Sequence, residues 1–264
     1  MERPPGVAMR EIEENAAELL MAMGAAGGGV QRDDGTVRWT IGGSPIDYHN
    51  AVVAADLTAD KVDSTITESL ELMRQRDVPG SWHVGPSMRP ANIGQRLIEA
   101  GFRYDGSEPG MAVKLSELRR PSVVPGLEIT RVRNDDDLAI WAATLGGGFG
   151  EGEREARWVG SVYRKLGYGD PWRHYLGWLD GQPVATTTVY LAAGVAGVYF
   201  VMTIPEARRR GIGAAITYAA LREAGDVEYG VLGSSPAGRS VYAGLGFREY
   251  CRIELFVVPA VDRG

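Results

Sequence analysis

The chain has 264 residues, 44% of them hydrophobic and 23% charged, with 28 Lys plus Arg against 34 Asp plus Glu for a formal charge of −6. This is the composition of an ordinary globular chain, long enough to bury a core as one large domain or two smaller ones, and it excludes a disordered polymer. The acidic balance opposes nonspecific attraction to nucleic acid or an anionic membrane, no run approaches the roughly 18 apolar residues of a membrane span, and the single cysteine, Cys251, leaves no disulfide or cysteine zinc site.

The start, Met1-Glu2-Arg3-Pro4-Pro5-Gly6, lacks a basic region followed by an apolar one, so a cytoplasmic location is expected. Ile12, Ala16, Leu19, Leu20 and Met23 recur at helical spacing over residues 11–23, and the cluster Gly24, Gly27, Gly28 and Gly29 reads as a surface loop that stops the helix. Strands are expected at 37–41 and 50–56. A helix follows at 58–75, with Thr58 as cap and Val62, Ile66, Leu70 and Met73 inward. Residues 81–84, a helix through Ile93 and Leu97, and a strand at 111–115 complete the first half. The two prolines and glycine of 119–126 break both periodicities. They suggest a linker between a domain at 1–118 and another at 127–264.

The second half reads as a strand at 127–133, a helix at 135–145, the loop Gly146-Gly147-Gly148 and a helix carrying Ala156, Val159 and Val162. Strands at 173–179 and 184–191 are split by Asp180-Gly181-Gln182-Pro183. The β-branched and aromatic run 197–204 ends at Pro205, which has no amide hydrogen to offer a ladder. After it Ile212, Ala215, Ile216 and Ala219 return to helical spacing. A strand at 227–233, a short helix at 238–245 and a strand at 253–258 close the chain. The order is α/β.

The stretch between that run and its helix, Arg208-Arg209-Arg210-Gly211-Ile212-Gly213-Ala214, has the chemistry of an anion site. A helix's first turn leaves amide hydrogens unpaired and carries partial positive charge, glycines let an anion approach those amides, and arginines add full charges. A compact phosphate or pyrophosphate fits three clustered arginines better than a nucleic-acid duplex does. The halves also echo each other. Gly101-Phe102-Arg103 and Gly246-Phe247-Arg248 both follow a helix end, but the first half enters its own helix through Asp60 and Asp63, which repel phosphate.

On Arg208-x-x-Gly211-x-Gly213 at a strand-to-helix junction, and on Ser235-Pro236-Ala237-Gly238-Arg239-Ser240-Val241-Tyr242-Ala243-Gly244-Leu245-Gly246-Phe247, the second half resembles the GNAT superfamily of acyl-CoA-dependent N-acyltransferases. The whole chain is similar to a tandem member with a degenerate first repeat; the likeness is good over 127–258 and weak over 10–118. It implies two α/β (α+β) lobes, each a mixed, mostly antiparallel sheet flanked by helices. It implies acetyl-CoA as co-substrate, held by the loop through Arg208, Arg209, Arg210, Gly211, Ile212, Gly213 and Ala214, by the strand residues Met202, Thr203 and Ile204, and by Ser235 and Gly238. It implies Tyr242 as the acid that protonates the departing thiolate.

Several family members carry a glutamate on the strand corresponding to 197–204, and this chain has none. The candidate bases are Glu151, Glu153 and His174, with weaker claims for His49 and His83, and Phe149, Trp172, Tyr190 and Tyr199 are candidates to line an apolar cleft. The expected reaction is direct acetyl transfer to a primary amine of a small molecule, by a monomer or homodimer. A protein-lysine or N-terminal acetyltransferase, and a non-catalytic acyl-CoA sensor, remain the alternatives. A dinucleotide-binding loop is disfavoured for want of a third glycine after the first strand.

Overall fold

The computed structural model describes residues 5–259; Met1 to Pro4, part of the N-terminal stretch read above, lie outside that range. Two compact units emerge, and neither follows the division expected at 119–126. The C-lobe comprises the chain through Asn15 together with Pro109–Tyr250. The N-lobe comprises Ala16–Glu108 together with the chain from Cys251 on.

Two strands account for the difference. β5 (Arg103–Lys114) begins in the N-lobe, and from Gly110 onward it pairs antiparallel with β10 (Tyr229–Gly233) in the C-lobe. β11 (Arg248–Val258) does the reverse, its Glu254–Val258 pairing with β4 (Gly80–Val84). The proline-rich stretch 119–126 lies within the C-lobe, where Arg119 N donates to Leu245 O and Val124 packs on the core. Its prolines break periodicity without marking a domain boundary.

In the N-lobe, β1 (Val30–Asp33), β2 (Val37–Ile41) and β3 (Ala51–Ala55) are joined antiparallel, and β3 runs parallel to β4. α2 (Val62–Arg76) and α3 (Ile93–Glu99) cover this sheet, burying Ile66, Leu70, Met73 and Leu97 with Trp39 and Trp82. α2 starts later than expected because Lys61 N donates to Thr58 O, so Thr58 opens a turn and Lys61 is the cap. α1 (Pro5–Gly27) runs past the expected end at 23. Its Gly24 is no surface-loop glycine: a Cβ there would sit 1.8 Å from Thr40 Oγ1, so α1 lies too close to β2 for any side chain.

In the C-lobe the sheet order is β5-β10-β9-β8-β7-β6, with β6 (Leu127–Arg131), β7 (Trp172–Leu179), β8 (Gln182–Ala192) and β9 (Val195–Thr203) antiparallel in sequence and β9 parallel to β10. α4 (Asp135–Gly146), α5 (Glu153–Leu166), α6 (Ile212–Arg222) and α7 (Arg239–Gly244) complete it. α6 has 11 residues, too few to hold together alone, so its stability comes from burying Ile212, Ile216, Ala220 and Leu221, roughly 1.5–3 kcal/mol for each large side chain. That packing fixes where its first turn points. Among the described residues no helix is long and apolar enough to cross a membrane.

Candidate active site

β9 carries the site up to α6. Opposite Thr186 to Thr188 its register shifts by one residue, and Phe200 takes a positive φ of 52°, so the strand bulges there. Thr186 Oγ1 donates to Phe200 O at 2.8 Å and holds the bulge. The parallel pairing of β9 with β10 covers only Ala196↔Gly230 and Gly197↔Val231. Beyond it, no backbone hydrogen bond joins 198–204 to 234–239 among the described residues, leaving that edge of β9 open.

A short 3-10 turn, Pro205–Ala207, leads into the basic loop. Arg209 has φ 60° and Gly211, the cap of α6, has φ 82°. Around these left-handed residues, none of the amides of 209–214 finds a backbone acceptor among the described residues. A Cβ on Gly213 would have only Thr203 Oγ1 within reach, at 3.8 Å. The glycine therefore answers no crowding within the chain; it leaves bare the space in front of the first-turn amides, at a cost to helix propensity of about 1 kcal/mol. Arg209 and Arg210 are exposed and form no ion pair among the described residues. The loop thus offers unpaired backbone donors and positive charge together.

Arg208 requires a correction. Its amide donates to Pro205 O, its Nε to Thr203 O at 2.9 Å and its Nη2 to Gly148 O at 3.2 Å. The side chain fastens the loop to its neighbours and does not reach out toward an anion. Met202 buries its side chain in the core, while Thr203 and Ile204 are half-buried at the end of β9, so these three have backbone to offer a ligand.

Tyr242, on α7, belongs to the same core cluster as Ala207 and Ile212. Its ring sits 5.9 Å from that of Phe247, and Gly238 is needed beside it, since a Cβ there would lie 2.9 Å from Tyr242 Cε2. Its hydroxyl makes no hydrogen bond among the described residues. Burial raises its pKa well above the ordinary phenol value, so it carries its proton at neutral pH and has it to give. Ser235 Oγ accepts from Gly238 N at 3.2 Å and shapes the turn into α7.

The three expected bases do not converge. His174 is fully buried among Trp141, Tyr163 and Trp172; its Nδ1 is 2.9 Å from Thr188 Oγ1 and its Nε2 3.3 Å from Gly167 O. Burial pushes its pKa down to about 3. With both nitrogens engaged and no route to solvent, it is a core residue and not a base. Glu151 is exposed and pairs with Arg154 at 3.2 Å, and Glu153 is exposed at the start of α5. His83, in the N-lobe, is likewise buried, its pKa lowered to about 3, with Nε2 3.1 Å from Ser81 Oγ. His49 is buried beside Tyr48 in that lobe. The Trp172 ring packs tilted against that of Tyr190, and the Phe149 ring against that of Phe200.

Two residues escaped the sequence reading. Glu155, buried in the first turn of α5, accepts the Glu151 amide at 3.1 Å. Asn15 is fully buried; its Nδ2 donates to Ala192 O at 2.9 Å and to Tyr190 O, and its Oδ1 accepts from the Tyr199 hydroxyl at 2.6 Å. Its signal was a polar side chain on the face shared by Ile12, Ala16 and Leu19.

Residues 118–232 match the model of an acetyltransferase (GNAT) domain. The match includes the basic loop and stops before Tyr242. A comparison with curated proteins finds no match. Among solved structures the chain is similar to a GCN5-related N-acetyltransferase from Kribbella flavida, with 19% identity over 94% of this chain and 97% of that one and a TM-score of 0.68. It is similar to another from Sphaerobacter thermophilus, with 17% identity over 98% and 94% and a TM-score of 0.58. A third likeness is to a tandem GNAT protein from the clavulanic acid biosynthesis pathway, with 17% identity over 86% and 79% and a TM-score of 0.59. Likeness at such identities speaks for the fold, and the matched domain supplies the activity class. Residues 118–232 thus match an acetyltransferase (GNAT) domain, and the chain as a whole shares the fold of GCN5-related N-acetyltransferases.

Proposed function

We propose that the protein transfers an acetyl group from acetyl-CoA to the primary amine of a small molecule, by direct attack and without a covalent enzyme intermediate. The observation that carries this reading is the row of amides at 209–214 without backbone acceptors, with Gly211 and Gly213 leaving space beside them and the exposed guanidinium groups of Arg209 and Arg210 flanking them. They would hold the pyrophosphate, and the open edge of β9 beyond Gly197 would pair with the amide-bearing arm of the donor. The donor supplies a reactive thioester. Tyr242, whose buried phenol keeps its proton at neutral pH, would donate that proton to the thiolate as the carbon–sulfur bond breaks.

The carboxylates Glu151, Glu153 and Glu206 on the adjoining loop and turn favour a cationic acceptor. The N-lobe, which lacks such a loop, is proposed to be a degenerate repeat that binds no coenzyme. A cytoplasmic monomer or homodimer completes the proposal. Incubating the protein with acetyl-CoA and a panel of amines while following free thiol tests it. Release that depends on a particular small amine supports it; no release above hydrolysis with any amine, or release with lysine peptides alone, contradicts it.

A further inference from the structure

The loop between α4 and α5 has glycine at 146, 147, 148, 150 and 152, with φ of 48° at Gly150 and 66° at Gly152. Such a sequence has much conformational freedom to lose, so whatever orders it must be specific. Three side chains do so. The Glu155 carboxylate holds the Glu151 amide, and it lies so close that a Cβ on Gly150 would meet it at 1.8 Å. The Phe149 ring packs 5.4 Å from that of Phe200, on the bulge of β9. The third is Arg208, whose guanidinium spans from Thr203 O, where β9 ends, to Gly148 O. A Cβ on Gly148 would lie 2.7 Å from Arg208 Nη2. The loop is thus built around a side chain that comes from the donor-binding segment.

We propose that Arg208 is a positioning residue for the acceptor: it holds the Gly146–Gly152 loop beside the end of β9, so that the acceptor amine, and not the acyl donor, depends on it. This rests on the proposed function, which lays the donor's arm along the open edge of β9 and assigns a cationic acceptor to the carboxylates Glu151, Glu153 and Glu206. A planar fork bridging two carbonyls is a geometry that arginine makes and lysine does not. Losing it frees the loop while leaving the amides of 209–214 where the packing of α6 puts them. A misplaced acceptor costs rate through orientation.

The test uses the full-length chain with Arg208→Ala and Arg208→Lys. Without any substrate, amide hydrogen exchange at 147–152 is expected to quicken about tenfold or more in both variants, against unchanged exchange in α6. With substrates, the KM of the amine is expected to rise about tenfold while the acetyl-CoA Kd stays within about twofold. The opposite pattern, a weakened acetyl-CoA Kd with unchanged loop exchange and amine KM, makes Arg208 an ordinary phosphate ligand and overturns the inference. If Arg208→Ala does not fold, the lysine variant, which keeps the charge and the stem, decides between the same two patterns. Should wild-type protein bind no acetyl-CoA, the proposed function fails, and the exchange measurement still reports separately whether Arg208 orders the loop.

Discussion

The two lobes end corresponding helices the same way and fill the space beside them differently. Gly101 has φ 100° and Gly246 φ 101°; Phe102 N donates to Leu97 O at 2.9 Å and Phe247 N to Tyr242 O at 3.0 Å. In both lobes a parallel strand pair is registered over just two positions, Ala51↔Ser81 and Val52↔Trp82 in one, Ala196↔Gly230 and Gly197↔Val231 in the other. Beyond those pairs the lobes part. In the N-lobe, Leu57 N donates to Arg89 O and Arg89 N to Ala55 O, closing with backbone the edge that β9 leaves open. α2 begins at Lys61 with Asp63 in its first turn, bonded to Arg96 at 2.7 Å, where α6 begins at Gly211 with bare amides. Leu97 stands where the C-lobe has Tyr242. The lobes thus share a backbone frame and differ in whether the first-turn amides, the strand edge and one hydroxyl are left available.

The sharpest way to break this contrast is to remove the C-lobe hydroxyl that the N-lobe, with Leu97 in its place, lacks. Tyr242→Phe is expected to lower kcat by about 10²–10⁴-fold with acetyl-CoA affinity unchanged, measured by thiol release beside an equilibrium titration. An unchanged kcat would point to another acid, and binding without turnover in either protein to an acyl-CoA sensor. Next in size, Gly213→Asp puts a carboxylate among the amides, as Asp63 does in α2. It is expected to weaken acetyl-CoA binding by about 100-fold or more, close to 3 kcal/mol. An acid in a helix's first turn favours the helix, so unchanged melting beside lost binding would separate repulsion of the ligand from unfolding.

The histidines sharpen the comparison from the side of stability. His174 and His83 each have a folded pKa of about 3, below the unfolded value of 6.5. The unfolded chain thus takes up protons first, and the stability these neutral rings contribute is present above pH 6.5 and lost as pH falls from 6.5 toward 3. Each ring contributes up to about 1.4 kcal/mol per pH unit in that window. Acid denaturation of His174→Gln and His83→Gln should each show a shallower slope, whereas the acidic limb of kcat/KM should not move in His174→Gln. A moved limb would restore His174 as a base. The smallest expected effect is none: Asp63→Asn, which removes the repelling charge from α2, should add no second coenzyme site, because the bonds of Arg89 still close the strand edge.

Much of this was legible in the chain itself. The run 197–204, its stop at Pro205 and the return of helical spacing at Ile212 located β9, the loop and α6, because a change of period and a missing amide hydrogen are local facts. Gly101 and Gly246 were legible for the same reason. β1 was missed because Gln31, Arg32 and Asp33 make it a polar edge, and β5 was read eight residues short because Gly106 and Pro109 look like breakers when their partner strands are unknown. The roles of Arg208, Glu155 and Asn15, and the depth of His174, depend on what meets them in three dimensions. No spacing encodes a carbonyl contributed from 60 residues away, as Gly148 is to Arg208.

One lobe alone, at the first turn of α6, is proposed to hold the acyl donor. Calorimetric titration of the full-length chain with acetyl-CoA measures it directly. The prediction is one site per chain in the wild type and none in Gly213→Asp; two sites per chain, or a site that survives that substitution, would contradict it.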